Sequence, residues 1–367
     1  MHIGIYGTGQ LARMMAHDGK KLGATFSFIA EPNDDVSAIK GLGEQVLFSG
    51  SESAEAIFKA LGEPEVITVE KEAVDVPLLR DLQKLCRVSP NPDVLEITQH
   101  RLREKNFLNK IGIPTAGYAE ANSASDVTKA IEALGIPVAV KSIEQGYDGK
   151  NQWHLKTEAD VEKFLETYNN SPLIIEQWVP FEAEVSLIAA RSLAGDIAFY
   201  AMAYNEHRGG ILISSIVPAK NYQEKFTKRA QEYLSKILTE SDYVGVLSME
   251  CFVKGDELLV NELAPRVHNS GHWSQAGTAC SQFENAIRAV MGIELGNTEL
   301  NGPTAMLNLL GKEVAQSDIA IPNAQLHWYD KQCKPKRKVG HINFQHEDYA
   351  ELEKNLAALE KQVYQDN

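Results

Sequence analysis

Glu250 and Glu262 stand in LSMECFV and LLVNEL, two nearly continuous apolar runs joined by a KGD turn. Such runs predict a hairpin of buried strands. The two positions sum to an even number, so pairing about the turn sends both carboxylates out of the same face, where they repel one another across the ladder. A hard divalent cation relieves that repulsion. Mg²⁺ takes carboxylate oxygens and completes its octahedron with water and phosphate, and Mn²⁺ can use the same donors. A strand glutamate is ordinarily solvated. The apolar flanks and the adjacent Asn261, a further oxygen ligand, argue against that here.

Other residues fit a polyphosphate. Lys141 ends the apolar run IPVAVK, where an ammonium can meet phosphate oxygens; alone it reads equally well as a lysine reaching for solvent from a strand end. The loop that follows, GYDGKNQ, holds Gly146, Tyr147, Asp148, Gly149, Lys150, Asn151 and Gln152. Its glycines let backbone amides close over phosphates, although a lone loop of this kind is more often a turn. LIIEQWV brings Glu176 and Gln177 to a strand end, where backbone groups can pair with an adenine edge, and Glu184 can accept ribose hydroxyls.

APRVHNSGHW places Arg266, His268, Asn269 and His272 directly after Glu262. The two histidines have the spacing of a helical zinc pair, but Asn269, Ser270 and Gly271 oppose a helix and no HExxH occurs. A cradle for an acceptor or an oxyanion fits better. YDKQCKPKRKVGH concentrates Lys331, Lys334, Lys336, Arg337 and Lys338, either a solvated patch or a binding site for a substrate phosphate. GTGQLA, with Gly9, Gln10 and Leu11, follows an apolar run and matches a dinucleotide-binding turn, with Glu31 where a ribose-binding acid would stand. A dehydrogenase reading of that turn leaves the other motifs unexplained.

The elements that must position these residues divide the chain. Its 367 residues exceed what one core usually serves, so two or three subdomains are expected. The first stretch alternates apolar runs with helical patterns, as in βαβ units on a parallel sheet. SPNPDV interrupts it. The expected boundaries give an N-terminal α/β domain at 1–97 and an α+β core at 98–300, with a smaller unit at about 113–186, then a short C-terminal subdomain at 301–367. A net charge of −14 argues against nucleic-acid binding, no apolar stretch is long enough to span a membrane, and four scattered cysteines suggest reduced thiols in a cytoplasmic protein.

Taken in order, Lys141, GYDGKNQ, EQWV, Glu184, MECF, VNELAPRVHNSGHW and WYDK…RKVGH resemble the 5-(carboxyamino)imidazole ribonucleotide synthases of purine biosynthesis, within the ATP-grasp superfamily. The resemblance implies a Rossmann-like N-terminal domain, an ATP-grasp core of two α+β subdomains and a small C-terminal subdomain. It implies that bicarbonate attacks the γ-phosphate of ATP to give carboxyphosphate, and that the carboxyl group or released CO₂ passes to the exocyclic amine of 5-aminoimidazole ribonucleotide, in a homodimer. By the same resemblance, Arg101 and Lys141 contact ATP phosphates, and Gly146 to Gln152 form a lid. Glu176, Gln177, Trp178, Val179 and Glu184 hold adenosine, while His207 and Asn261 complete the nucleotide site. Glu250 and Glu262 carry Mg²⁺. Tyr147, Asp148, Arg266 and His268 surround the carboxylating centre; Gly9, Gln10, Leu11, Asn269, Lys331 and Arg337 fall to the ribonucleotide.

The chain departs from the family at Thr8 and Ala12, and at Gln145 and Asn151, where relatives often have glycine; a stiffer lid is expected. Two rivals are another ATP-grasp ligase, such as a formate-dependent glycinamide ribonucleotide transformylase or a biotin carboxylase, and a nonenzymatic nucleotide-binding regulator. The acceptor half, APRVHNSGHW with RKVGH, separates the first; the paired glutamates separate the second.

Overall fold

The computed structural model describes residues 1–144 and 151–364. The N-terminal sheet is parallel, with strands β1 (His2–Tyr6), β2 (Thr25–Ala30), β3 (Glu44–Leu47), β4 (Val66–Val69) and β5 (Arg87–Val88) in the order β3-β2-β1-β4-β5. Helices α1 (Gln10–Lys21), α2 (Ala54–Ala60) and α3 (Val76–Leu82) connect them. β1 and β4 are buried almost end to end, as a sheet covered on both faces requires. Asp75 caps α3 with Pro77 in its first turn, and Asn91 caps α4 (Pro92–Thr98), also with proline near its start. After a break at Gln99 and His100 comes α5 (Arg101–Lys110).

A four-stranded antiparallel sheet follows, built from β6 (Tyr118–Ala121), β7 (Val138–Ser142), β8 (Gln152–Leu155) and β9 (Leu173–Gln177) in the order β6-β9-β7-β8. Helices α6 (Ala124–Leu134) and α7 (Glu158–Thr167) pack Val127, Ile131, Val161 and Phe164 onto it as a separate small core. This unit ends near Gln177, earlier than expected, because β10 (Ala183–Arg191) belongs to the next sheet.

That sheet is the largest. β11 (Ile197–Phe199), β12 (Ala203–Arg208) and β13 (Ile211–Val217) precede α8 (Gln223–Glu240) and the hairpin β14 (Gly245–Lys254) with β15 (Glu257–Ala264). After α9 (Ser274–Gly277) and α10 (Gln282–Met291) come β16 (Thr304–Leu310), β17 (Gln325–Trp328), β18 (Lys338–Gln345) and α11 (Tyr349–Tyr364). The order is β15-β14-β10-β12-β13-β16-β18-β17, with β11 against β10. The segment after residue 300 thus extends the central sheet instead of forming its own, because β16 pairs with β13. α1 packs on α10 through Met15, Phe283 and Ile287, which joins the N-terminal layer to the central one.

Among the described residues no helix is long and apolar enough to cross a membrane. All four cysteines are unpaired.

Candidate active site

Glu250 and Glu262 do stand opposite one another, but the turn does not put them there. From Lys254↔Glu257 to Cys251↔Val260 the hairpin runs in a register that would set Glu250 against Asn261. A bulge between Glu250 and Cys251 takes Asn261 out of the ladder and shifts the register by one residue, so Glu250 meets Glu262. Such bulges re-aim a side chain beside a working site. Glu250 is buried, whereas Glu262 is exposed at the lip of the cleft. Burial and then Glu262 push the Glu250 carboxyl up to about 7, and its Oε1 is buried with no hydrogen-bond partner. A buried acceptor with no donor, opposite a second carboxylate, is suited to a divalent cation. Among the described residues no cluster of three protein ligands forms, so water or a nucleotide's phosphate oxygens would have to complete the shell.

Glu184, Asn205, His207, Glu250 and Asn261 line one cleft. Nδ1 of His207 lies 3.2 Å from Glu184 Oε2, without the alignment of a hydrogen bond. Burial alone would lower this ring, yet Glu184 and Glu250 hold it above its ordinary value. His207 follows a bulge between Glu206 and His207 in β12, a second place where broken register turns a side chain toward the cleft.

On the facing sheet, Lys141 donates to Glu176 at 2.7 Å, and Lys105 lies 3.6 Å from the same carboxylate while donating to the Asn261 carbonyl at 2.9 Å. Burial opposes ionisation of Glu176, but Lys105 and Lys141 overcome it and hold the carboxyl down at about 2. The Glu176 side chain therefore braces two lysines. Gln177 and Trp178 donate their backbone N–H groups to Gly117 and Pro137, and the Val179 N–H has no partner among the described residues. Trp178 packs edge-on against His154. Arg101 donates to the Ser142 carbonyl at 2.8 Å, where β7 leads into the glycine loop. Gly146, Tyr147, Asp148, Gly149 and Lys150 lie outside the described residues, as does Gln145. Asn151 adopts φ 53°, a left-handed conformation asparagine tolerates, so this departure from glycine is accommodated locally. Gln152 pairs with Lys141 in the ladder and touches His154.

Lys105 and Glu104 were not anticipated. Both are buried, and Glu104 accepts from the Leu263 N–H at 3.2 Å. Burial and then Glu262 raise the Glu104 carboxyl to about 8. Their signal was in the sequence: positions 104, 105, 108 and 111 share one helical face, and two charges stand on it with Leu108 and Ile111. Lys105→Met leaves Glu176 short of one buried partner and the Asn261 carbonyl unpaired. A loss of about 3 kcal/mol in urea unfolding is expected, together with weaker nucleotide binding.

Arg266 lies 2.5 Å from Glu72 and donates to the Val267 carbonyl. Gln99 fixes Glu72 in turn by donating to the carbonyls of Glu72 and Val74. Asn269 is buried and exchanges two amide hydrogen bonds with Asn308, so it holds the loop and does not project into the cleft. The two ends of the chain meet here. Lys331 donates to Gln10, Arg13 pairs with Asp330 at 2.6 Å, and Arg337 pairs with Asp35. Lys334 and Lys336 are exposed, so the basic segment divides into pinned and solvated members. His272, His327 and His341 cluster behind it, with Tyr329 and Gln275 on His341, away from the carboxylates.

The dinucleotide reading of GTGQLA fails on one residue. The Glu70 carboxylate accepts from the N–H groups of Gly9, at 2.6 Å, and Ala12, at 2.9 Å, and so occupies the anion site at the start of α1. A Cβ on Gly7 would come 2.2 Å from Glu70 Cγ. Glu31 is taken by Tyr6 and Lys71. Leu11 is in the core, which leaves Gln10 as the member of this loop whose side chain reaches Lys331. Ala12 is fully buried, and Thr8 nearly so.

A paired-carboxylate hairpin beside a lysine-braced sheet is the arrangement of an ATP-grasp protein, and the ATP-grasp domain family matches residues 106–283. A ribonucleotide synthetase preATP-grasp domain matches residues 1–99, and a phosphoribosylaminoimidazole carboxylase C-terminal domain matches 304–355. The chain is 39% identical to the N5-carboxyaminoimidazole ribonucleotide synthase of Pseudomonas aeruginosa, over 98% of this chain and 99% of that one. The crystal structure of the synthetase from Thermus thermophilus superposes with a TM-score of 0.92 at 38% identity, covering 100% of this chain and 99% of that one. An Aspergillus clavatus synthase in complex with ADP and 5-aminoimidazole ribonucleotide matches with a TM-score of 0.88 at 27% identity, covering 99% of each chain. The chain belongs to the N5-carboxyaminoimidazole ribonucleotide synthase family.

Proposed function

We propose that this enzyme uses ATP and bicarbonate to carboxylate the exocyclic amine of 5-aminoimidazole ribonucleotide, giving the carbamate, ADP and phosphate in purine biosynthesis. The observation that carries the reading is the continuity of β15 with the loop after it: Glu262, Arg266 and His268 lie on one segment, so the γ-phosphate and the acceptor amine can meet. Bicarbonate takes the γ-phosphoryl group to form carboxyphosphate. The amine nitrogen then bonds to the carboxyl carbon, and the carbon–oxygen bond to phosphate breaks; phosphate leaves with the amine proton.

The chain's own groups do this by position and charge. Glu250 and Glu262, with the partnerless Glu250 oxygen, would hold Mg²⁺, which when bound neutralises charge on the phosphates. Lys141 and Arg101 meet phosphates, and Glu184 with His207 receives the ribose. Lys331 and Arg337 receive the ribonucleotide's phosphate, and Arg266, braced by Glu72, faces the reacting carboxyl group. A cytoplasmic setting agrees with four unpaired cysteines, and a homodimer completes the reading.

Phosphate release from ATP is expected to need both bicarbonate and 5-aminoimidazole ribonucleotide for full rate. Release indifferent to the ribonucleotide, or dependent on formate and glycinamide ribonucleotide instead, would overturn the assignment.

A further inference from the structure

We propose that His268 is held as the tautomer protonated at Nε2 and meets the reacting carboxyl group as a hydrogen-bond donor, so that it is not the base for the substrate amine. This rests on the carboxylation reading above.

The decisive contact is a backbone one. The Ser270 N–H points at His268 Nδ1 across 3.3 Å, as the cap of a short 3-10 turn at Asn269–Gly271. A peptide N–H cannot reverse its role, so Nδ1 must carry the lone pair, and the neutral ring's proton is then on Nε2. The Ser270 hydroxyl, 2.9 Å from the same nitrogen, adds a second donor, and a buried chain fixes its direction. Ser215 donates to Asn205 Oδ1 at 2.7 Å, Asn205 Nδ2 donates to Ser186 at 2.9 Å, and Ser186 donates to the Ser270 oxygen at 2.9 Å. Ser186 gives its one proton to Ser270, and with Nδ1 already an acceptor of the peptide N–H, the Ser270 proton goes to His268. Asn205 and Ser215 face one another in the ladder of β12 and β13, so the chain starts from a fixed point. Ser186, Asn205, Ser215 and Ser270 are all buried.

The ring is aimed as well as polarised. Gln282, fully buried, accepts from the His268 N–H at 2.9 Å and donates to the His268 carbonyl at 2.6 Å. The loop fits closely on this clamp: a Cβ on Gly271 would lie 2.8 Å from Gln282 Oε1 and 2.2 Å from Ile188 Cδ1. Glu250 Oε1 stands 3.6 Å from Nδ1, which looks like an ion pair by distance alone. With the proton on Nε2 it is not one, and that oxygen stays available for a cation. Nε2 makes no hydrogen bond among the described residues.

A nitrogen that already bears its proton has no lone pair with which to take another. In the transfer step the amine's lone pair forms the carbon–nitrogen bond and the bond to phosphate breaks. The amine's proton leaves on the departing phosphate, so no protein base is required. The Nε2–H group instead steadies the carboxyl oxygen on which charge develops.

The first measurement is the nitrogen NMR spectrum of the full chain labelled in its histidine rings, with His268 assigned by its loss in His268→Gln. A pyridine-type Nδ1 with a pyrrole-type Nε2 is expected; the reverse pattern overturns the proposal. The second compares substitutions. Glutamine keeps an N–H donor near the reach of Nε2 and glutamate offers an acceptor, so His268→Gln should form at least roughly tenfold more carbamate per phosphate released than His268→Glu. Equal coupling, or glutamate the better, overturns the donor role. Ser270→Ala removes the hydroxyl but keeps the peptide N–H, so Nδ1 should stay pyridine-type and the KM for ATP should stay within about twofold; a switch to the other tautomer overturns the backbone assignment. If that variant does not fold, the wild-type spectrum and the Gln/Glu contrast still decide. Wild-type phosphate release that ignores the ribonucleotide defeats the functional reading, while the tautomer is still read from the spectrum.

Discussion

Glu250→Gln is expected to lose ATP turnover by roughly 10²- to 10³-fold while making the metal-free protein more stable above neutral pH. The two effects come from one arrangement. Glu250 is buried opposite Glu262, and its carboxyl is pushed up to about 7 by burial and then by that neighbour. A carboxyl whose folded value lies above its unfolded value binds more protons in the folded state across the interval between them. Stability is therefore lost as pH rises from about 4.5 through 7, by about 2–3 kcal/mol for a shift of this size. Glutamine keeps the shape and removes that loss. The difference between melting curves of the metal-free protein at pH 5 and pH 8 should be smaller for the variant than for the wild type, with Glu104 leaving a residual loss in both, and Mg²⁺ with ATP should stabilise the wild type more than the variant. A variant less stable at pH 8 than the wild type would mean that Glu250 is satisfied by the protein and does not await a cation.

The second large effect divides the basic C-terminal segment. Lys331 is drawn into the fold beside Gln10, and burial lowers its ammonium from the ordinary lysine value, whereas Lys334 is exposed. Lys331→Met should raise the KM for the ribonucleotide by roughly 10- to 100-fold, the worth of a charge-assisted hydrogen bond, with the KM for ATP unchanged. Lys334→Met should alter neither. Equal effects from the two variants, or none from either, would return the segment to a solvated patch. Ribonucleotide saturation curves at fixed Mg²⁺ and ATP distinguish these outcomes.

Much of this site can be read from residue order. The parallel N-terminal sheet follows from alternating apolar runs and helical patterns, and the nucleotide half from a lysine at a strand end, a glycine loop and acidic residues on apolar strands. What could not be read is register. The turn alone would set Glu250 against Asn261, and only the bulge at Asn261 brings the carboxylates together, a choice made by packing and not by spacing. Long-range pairing is likewise absent from local sequence. Nothing near GTGQLA says that Glu70, from the end of β4, fills the anion site, and nothing near Arg266 says that Glu72 will brace it. Asn269 reads as a ligand by type, yet its amide is used by Asn308 on another strand. Glu104 and Lys105 were legible as charges on an apolar helical face; their partners on β15 and β9 were not.

The central claim is that the γ-phosphoryl group of ATP passes to an oxygen of bicarbonate before the amine is carboxylated. Its most direct test is a turnover with ¹⁸O-labelled bicarbonate, ATP and 5-aminoimidazole ribonucleotide, followed by mass analysis of the phosphate and the carbamate. Each phosphate released should carry one labelled oxygen from bicarbonate, with one carbamate formed for each. Phosphate that instead takes its new oxygen from water, with no carbamate formed, would make the protein a simple ATPase and contradict the account.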